Sequence, residues 1–388
     1  MTSGLDSHHG RGPSRKGTRR ADQAHQRGFD LTDGQRDPPV GDVPADVARD
    51  RSVARKTDAS LAGGRRRPPA RADDVLAALD LGTNNCRLLV ARPDGDGFRV
   101  IDAFSRIVRL GEGLGKTGAL GPQAIDRTID ALRVCASKMR RRRVTRFRAV
   151  ATEACRQADN GDAFLKTVER ETGLDLEIIT SHEEAKLALA GCSPLLDPDI
   201  PASLVFDIGG GSTEFAWSRL GPDGERLVDA TSLPLGVVSL AERYGGDSYT
   251  DAVYEEMVQE VAVALAPFEA EFRIGARAEA GDLQVLGTSG TVTTLAGIRL
   301  ELPRYVRDRV DGVYLQVDET LDIARKLARM TWRERAAHPC VGRERADLVV
   351  AGCAILEAIC QTWPVDRMRV ADRGVREGIL FGLLTGRG

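Results

Sequence analysis

The sequence predicts an α/β fold that consists of two similar halves with a ligand cleft between them. The main observation is a near repeat: Asp80–Asn85 follows an apolar strand, and Asp207–Glu214 follows another strand, with its aspartate 127 residues after the first. In both copies an aspartate ends the strand, small residues form a turn, and a second apolar run begins. The other observation is that strands alternate with amphipathic helices in both halves, which is typical of α/β proteins. Ligands favour clefts between such halves.

The first 72 residues differ from the rest of the chain in composition. They contain one aromatic residue, Phe29, and 15 Lys/Arg against 9 Asp/Glu, so they carry a charge of +6. Because the whole chain has a net charge of −2, the remainder carries −8. A segment this poor in apolar side chains cannot bury enough surface to offset the entropy of ordering. We predict a disordered Arg-rich tail over residues 1–72, with a mistaken start codon as the alternative.

The first half is predicted over residues 73–190. Apolar runs separated by turns predict strands at 75–80, 86–91 and 98–104. Ile125, Ile129, Leu132 and Met139 share one helical face, which predicts a helix at 123–142. A strand at 147–151, a helix at 163–172, a strand at 176–179 and a helix at 183–190 complete this half.

The second half, residues 191–388, repeats the plan. The expected strands are 204–207, 214–217 and 227–233, and a helix follows at 249–268. A strand at 283–286 leads into a third glycine turn at 287–291, which opens another helix. Two further helices are expected at 346–361 and 374–384.

Composition excludes several classes of function. Aromatic residues make up only 5% of the chain, which disfavours a stacking surface for single-stranded nucleic acid. No apolar run is long enough to cross a membrane, and no secretory signal follows Met1. The seven cysteines form no Cys-x-x-Cys pair, and the five histidines are too few for a His-based zinc site. We expect a cytoplasmic protein with reduced thiols and no nucleic-acid or membrane partner.

The repeated turns suit a phosphate ligand with a bound cation. Glycine lets the backbone approach a ligand closely, and a tight turn directs successive N–H groups toward one point. An aspartate at a strand end can hold a hard cation or its water shell. One Asp-x-Gly segment alone is most often only a turn. Two copies predict that the halves clamp a phosphate–Mg²⁺ ligand.

The third glycine turn, Gly287–Thr291, has two interpretations. A helix that starts there offers free N–H groups and a positive dipole to an anion. Alternatively, Ser289 or Thr291 is simply the N-cap of that helix. The phosphate interpretation gains support because two other glycine turns occur in the chain.

Glu184 and Arg156 are the remaining candidates for chemistry. Ser181 and Glu184 have the spacing of a capping box, but Glu184 can also point into the cleft as a general base. Arg156 follows a predicted strand and can pair with a phosphate, or it can be an ordinary surface residue.

A basic run with seven Lys/Arg, Lys138–Arg148, follows the long helix. Such a run is typical of a solvated helix end, where the dipole favours cations. The alternative is a track for a long polyanion, since the helix is expected to flank the cleft.

Six stretches together resemble the exopolyphosphatase/guanosine pentaphosphate phosphohydrolase (Ppx/GppA phosphatase) family in its short, two-domain form. They occur in the order typical of that family, and the resemblance covers residues 75–388. The resemblance implies a duplicated actin-like ATPase (sugar kinase/heat-shock chaperone/actin) fold with two domains and an interdomain cleft. The matching stretches are 80–85, 151–156, 183–185, 207–214, 287–291 and 372–378.

The resemblance also implies roles for individual residues. Glu184 aligns with the catalytic glutamate of the family and Arg156 with an arginine that contacts phosphate. Asp80, Asp207 and Glu214 align with acidic residues around Mg²⁺. Cys86 departs from the family pattern, and residues 1–72 have no counterpart in it. The predicted phosphate-binding residues of the three turns are Gly82, Thr83, Asn84, Gly209, Gly210, Gly211, Ser212, Thr213, Thr288, Ser289, Gly290 and Thr291.

The expected function is that of a Mg²⁺-dependent exopolyphosphatase, which removes terminal phosphate from inorganic polyphosphate. The alternatives are hydrolysis of guanosine pentaphosphate and a polyphosphate-binding regulator with weak turnover. An ATP-using kinase of the same fold is disfavoured by Glu184 and by the lack of a sugar-binding motif. The sequence leaves open whether the chain forms a homodimer.

Overall fold

The computed structural model describes residues 68–221, 224–245 and 248–386, so residues 1–67 of the predicted tail lie outside the described residues. Two of the last five residues of that predicted tail, Pro68 and Ala70, form hydrogen bonds with distant parts of the chain. The Ala70 N–H donates to the Leu384 carbonyl at 2.9 Å, and Arg146 donates to the Pro68 carbonyl. No helix in the described ranges is both long enough and apolar enough to span a bilayer.

The first sheet has five strands in the order β3-β2-β1-β4-β5. Its first three strands form an antiparallel meander, while β4 and β5 run parallel to β1. The strands are β1 (Leu76–Leu81), β2 (Asn85–Asp94), β3 (Gly97–Ile107), β4 (Arg146–Ala151) and β5 (Glu177–Ile178).

The second sheet has six strands in the order β10-β11-β9-β6-β7-β8. Again three strands form a meander and two more run parallel to its first strand, and β10 adds an antiparallel edge. The strands are β6 (Ala202–Ile208), β7 (Thr213–Gly221), β8 (Gly224–Leu233), β9 (Leu283–Thr288), β10 (Tyr314–Gln316) and β11 (Arg367–Ala371). The two sheets therefore share one plan, which confirms the predicted duplicated actin-like fold.

Helices cover the faces of both sheets. The helices of the first half are α1 (Leu114–Thr117), α2 (Pro122–Arg142), α3 (Glu153–Gln157), α4 (Gly161–Thr172) and α5 (Ser181–Cys192). Those of the second half are α6 (Val237–Tyr244), α7 (Asp251–Phe272), α8 (Ile274–Glu279), α9 (Gly290–Arg299), α10 (Arg307–Val310), α11 (Val317–Arg329), α12 (Trp332–Ala337), α13 (Val349–Thr362) and α14 (Val375–Thr385).

Two helices cross between the halves and are packed against each other. Helix α5 follows the first sheet but packs Ala185 and Leu189 against the second sheet. Helix α14 follows the second sheet but packs Ile379 and Leu380 against the first. The predicted boundary between residues 190 and 191 falls in the last turn of α5. This exchange fixes the cleft, because both helices begin beside it.

One end of α2 lies near the cleft, but the basic run at the other end of this helix does not. The α2 end near Arg127 is close to the cleft, because Arg127 donates to the Val108 carbonyl next to the first glycine turn. From Arg127 the helix continues for 15 more residues, or about 22 Å at 1.5 Å per residue, to Arg142. Residues 140–146 lie where β4 begins, at the opposite end of the sheet from Gly82.

The described structure contains all seven cysteines as buried free thiols, as expected. Cys86 and Cys135 come closest, with 3.9 Å between their sulfur atoms.

Candidate active site

The two aspartate turns have the same hydrogen bond and touch each other. In each, the glycine N–H donates to a carbonyl three residues later at 2.9 Å: Gly82 to Asn85, and Gly209 to Ser212. A Cβ on Gly210 would lie only 3.0 Å from Thr83 Cβ. Glycine is required at this position because the two turns pack directly together, which brings the β1 and β6 ends to one cleft.

The first turn is also held from the side by the loop that follows β3. The N–H groups of Val108 and Arg109 donate to the Asn84 carbonyl at 2.9 and 3.0 Å, and Gly111 N–H donates to the Thr83 carbonyl. The side-chain Oδ1 of Asn84 is buried and lacks a hydrogen-bond partner among the described residues. Because Asn84 lines the cleft, this oxygen is free to accept from a ligand or its bound water.

The third turn brings a helix N-terminus to the same cleft. Ser289 is the N-cap of α9, and its hydroxyl accepts from Thr291 N–H at 3.2 Å. The capping interpretation is therefore confirmed for Ser289, and Ser289, Gly290 and Thr291 also line the cavity. The positive end of the α9 dipole thus faces the cleft.

Ten of the twelve predicted phosphate-binding residues line the cleft, and two do not. The Thr213 hydroxyl is buried and donates to the Leu235 carbonyl at 2.7 Å. The Thr288 hydroxyl donates to the Arg373 carbonyl, also at 2.7 Å. Both hydroxyl protons therefore serve backbone contacts. The residues that line the cleft are Gly82, Thr83, Asn84, Gly209, Gly210, Gly211, Ser212, Ser289, Gly290 and Thr291.

Glu184 points into the cleft and is not part of a capping box. Thr180 is the N-cap of α5, and its hydroxyl accepts from Glu183 N–H at 3.2 Å. The prediction that Ser181 caps this helix is therefore wrong: Ser181 is already inside it. The carboxylate of Glu184 is left free to accept from Arg156 Nη1 at 2.8 Å.

The sequence suggested that Arg156 lies at the end of a strand. In the structure it lies in the short helix α3. Its Nη1 also donates to the Ile179 carbonyl at 2.9 Å, and its Nε donates to Glu153 Oε2 at 2.8 Å. Its Nη2 is 4.0 Å from Glu214 Oε1. The guanidinium thus lies among three acidic side chains next to the cavity.

The four predicted acidic residues line one cavity of about 110 Å³. Burial raises the pKa of Asp80, that of Asp207 to about 6 and that of Glu214 to about 7. The pKa of Glu184 lies well above its ordinary value because of burial and the nearby charge of Glu214. Perturbed carboxyl groups gathered in a cleft are typical of a functional site.

Glu214 accepts hydrogen bonds from two serine hydroxyl groups. Its Oε1 accepts from the Ser212 hydroxyl at 2.5 Å and from the Ser232 hydroxyl at 2.9 Å. The described residues contain no group of three or more His, Cys, Asp or Glu arranged to hold a metal ion directly.

Two cationic residues of the cleft, Arg87 and Arg345, were missed by the sequence analysis. Arg87 pairs in register with Asp80 across β1 and β2, and Arg345 Nη1 donates to the Thr294 hydroxyl at 3.1 Å. Neither has a carboxylate within 4.0 Å among the described residues, and both line the cavity. Burial and the charge of Arg87 lower the pKa of Arg345. An anion between these two guanidinium groups would relieve their repulsion.

Comparison with known proteins gives the same family as the sequence motifs. The pattern that defines the Ppx/GppA phosphatase family matches residues 89–386. A Haemophilus influenzae protein that is provisionally named an exopolyphosphatase is 29% identical over 315 residues, which are 79% of this chain and 91% of that protein.

Solved structures that resemble this chain include members of the same family. A crystal structure of the Aquifex aeolicus member of the Ppx/GppA family is 28% identical with a TM-score of 0.66, and the match covers 80% of this chain and 97% of that one. A crystal structure of an exopolyphosphatase from Cytophaga hutchinsonii is 25% identical with a TM-score of 0.73, over 81% of this chain and 98% of that one.

Proposed function

Because this chain belongs to the Ppx/GppA phosphatase family, we propose that it is a Mg²⁺-dependent exopolyphosphatase, which hydrolyses the terminal phosphate from inorganic polyphosphate. One observation carries the proposal: Glu184, paired with Arg156, faces the same cleft as three glycine turns. A base beside an anion site is the arrangement that hydrolysis of a phosphoanhydride needs.

Glu184 is the proposed general base. It accepts a proton from water as the water oxygen forms a bond to the terminal phosphorus. The bond between that phosphorus and the bridging oxygen breaks, and the bridging oxygen leaves on the shortened chain. The raised pKa of Glu184 makes this carboxylate a stronger base than an ordinary glutamate.

The basic groups of the cleft balance the charge of the phosphate. Arg87 and Arg345 have no carboxylate partner within 4.0 Å in the described ranges, so they are available to oxyanions. N–H groups of the glycine turns and the N-terminus of α9 add further donors. Arg156 lies between the base and Glu214. We assign it two roles there: it contacts a phosphate, and it holds Glu184 in position.

Asp80, Asp207 and Glu214 are the proposed residues that hold Mg²⁺, directly or through water. The free Oδ1 of Asn84 and the three buried carboxyl groups provide the oxygen donors that this ion prefers. Bound Mg²⁺ would neutralise charge on the phosphate oxygens.

The lining of the cleft favours an inorganic chain over a nucleotide. None of the described residues that line the cavity is aromatic, so no ring is available there to stack on a guanine base. The cavity walls are instead rich in polar and charged groups. Guanosine pentaphosphate is the alternative substrate, and a polyphosphate-binding regulator is the alternative without turnover.

The test is phosphate release from long polyphosphate, guanosine pentaphosphate and ATP, measured side by side with and without Mg²⁺. We expect the highest kcat/KM for polyphosphate and a strong dependence on Mg²⁺. A higher kcat/KM for guanosine pentaphosphate would give that nucleotide as the substrate. Tight polyphosphate binding without phosphate release would indicate the regulator.

A further inference from the structure

Glu153 is a carboxylate in a cleft that is built for an anion. The other acidic residues have proposed roles: Glu184 as the base, and Asp80, Asp207 and Glu214 toward a cation. Glu153 also lines the cavity, where its negative charge repels a polyphosphate. Its presence there therefore needs a separate explanation.

Glu153 contacts two residues of α3: its Oε1 accepts from Gln157 Nε2, and its Oε2 faces Arg156. Its Oε2 accepts from Arg156 Nε at 2.8 Å and lies 2.6 Å from Nη2. On the opposite side of the guanidinium, Nη1 donates to Glu184 Oε2 and to the Ile179 carbonyl. Glu153 thus holds one edge of a group whose other edge contacts the proposed base.

Glu153 also contacts the second glycine turn. A Cβ on Gly211 would lie 3.2 Å from Glu153 Cγ, so the side chain of Glu153 packs against this turn. Because Gly211 belongs to the other half of the molecule, Glu153 connects Arg156 to the turn that is proposed to bind phosphate.

We propose that Glu153 is a positioning residue for the hydrolysis. It fixes the guanidinium plane of Arg156 so that Nη1 stays on the Glu184 carboxylate. Arginine is long and flexible, and holding it in place before the substrate arrives removes an entropic cost from the reaction. This inference rests on the proposed function, which supplies the roles of Glu184 and Arg156.

A purely structural role would look different in experiment. Glu153 is in the first turn of α3, where an acidic side chain favours the helix dipole. In that case Glu153→Gln and Glu153→Ala would lower the melting temperature alike, and the effect would not depend on Arg156.

Steady-state kinetics on the substrate that the wild type hydrolyses separates these roles. For Glu153→Ala we expect kcat to fall about 10–100-fold without a rise in KM. Glu153→Gln retains an acceptor for Arg156 Nε–H, so its kcat should stay within about threefold of wild type. In a protein that already carries Arg156→Ala, adding Glu153→Ala should not lower kcat further. A wild-type kcat in Glu153→Ala would overturn the proposal. So would a fold-decrease in kcat of the double variant that equals the product of the fold-decreases of the two single variants.

A second measurement needs no turnover. Hydrogen exchange of the Arg156 Nε–H, followed by NMR of ¹⁵N-arginine-labelled full-length protein, reports directly on the contact with Glu153. Arg156→Lys identifies the signal by its disappearance. We expect slow exchange in the wild type and in Glu153→Gln, and fast exchange in Glu153→Ala. If the wild type hydrolyses none of the three substrates, the proposed function fails, whereas unchanged exchange in Glu153→Ala overturns this inference.

Discussion

Glu184 and Glu183 are adjacent in the first turn of α5, yet their carboxylates have different environments. Glu184 contacts Arg156 at the cleft, and burial together with Glu214 raises its pKa. Glu183 instead pairs with Arg148, and 40% of its side chain is exposed. The pair offers a matched test of the base, because both side chains occupy the same helix turn.

Glu184→Gln keeps the shape of the side chain but cannot accept the proton from water. We expect kcat to fall roughly 10²–10⁴-fold, with an unchanged circular dichroism spectrum. Glu183→Gln, the control, should keep kcat within a few-fold of wild type. Near wild-type turnover in Glu184→Gln would show that Glu184 is not the base.

The acidic residues of the cleft should make stability depend on pH in an unusual direction. Burial raises the pKa of Asp207 from 3.8 to about 6, so the folded protein binds a proton that the unfolded chain releases at lower pH. The stability that Asp207 contributes is complete below about pH 4, and it is lost as pH rises through 6. Above that pH the buried charge destabilises the fold unless a cation neutralises it.

Asp207→Asn should therefore stabilise the metal-free protein at pH 8. The gain is at most about 2 kcal/mol, because one pKa unit corresponds to about 1.4 kcal/mol and Asp207 keeps some solvent contact. Thermal unfolding with a chelator measures it. Mg²⁺ should raise the melting temperature of the wild type but not of Asp207→Asn, and an equal rise in both would argue against Asp207 as a metal ligand.

At the scale of elements, the sequence predicted the strands and helices that a short stretch of residues specifies by its own pattern. The strands that precede the glycine turns were found because they are rich in apolar residues, as in β6, and lead into a recognisable turn. Strand β11 was missed: it alternates Arg367, Met368, Arg369 and Val370, and only the apolar side chains are buried. Helix α3 was missed because its five residues are too short to show a helical period.

Contacts between distant elements could not be predicted from spacing. Arg345 precedes α13 in an irregular charged stretch, and only the fold brings it to Thr294, 51 residues away. Arg87 was overlooked because an arginine in a strand usually points to solvent. Glu184 and Arg156 were found through a resemblance, while their mutual contact depends on how α5 packs beside α3.

The crossing of α5 and α14 depends on two glycines, and one of them gives a sharp test. A Cβ on Gly378 would lie 2.0 Å from the Leu187 carbonyl oxygen. Because backbone atoms cannot move aside cheaply, we expect Gly378→Ala to destabilise the protein by about 3 kcal/mol or more. Gly115→Ala is the control, since a Cβ there meets nothing within 4 Å. Urea unfolding measures the free energy of unfolding of both variants. A small decrease in Gly378→Ala would mean that the two helices can move apart to accommodate the added Cβ.

At the scale of the whole molecule, positive charge is concentrated at two distant places. One is the cleft, where Arg87 and Arg345 lack carboxylate partners within 4.0 Å among the described residues. The other is the α2 end, where Arg142 pairs with Asp102, while Arg140, Arg141 and Arg143 have no ion pair in the described ranges. The α2 end lies about 22 Å along the helix from Arg127, the α2 residue that is near the cleft. Of these two groups, therefore, the cleft arginines and not those of the α2 end are placed to bind the phosphate that reacts.

This separation predicts which arginines affect the binding of polyphosphate. Arg345→Gln removes a cation from the cleft, and we expect KM for both short and long chains to rise about 10–100-fold, since a charge-assisted hydrogen bond contributes about 1.5–3 kcal/mol. The combined change of Arg140, Arg141 and Arg143 to Gln should leave KM unchanged for both chain lengths at 0.15 M salt, because a Debye length of about 8 Å screens charges at that distance. The same comparison at low salt shows whether long chains reach the α2 end. A KM increase in the triple variant that is confined to long chains and is suppressed by salt would restore the α2 end as part of a polyphosphate track.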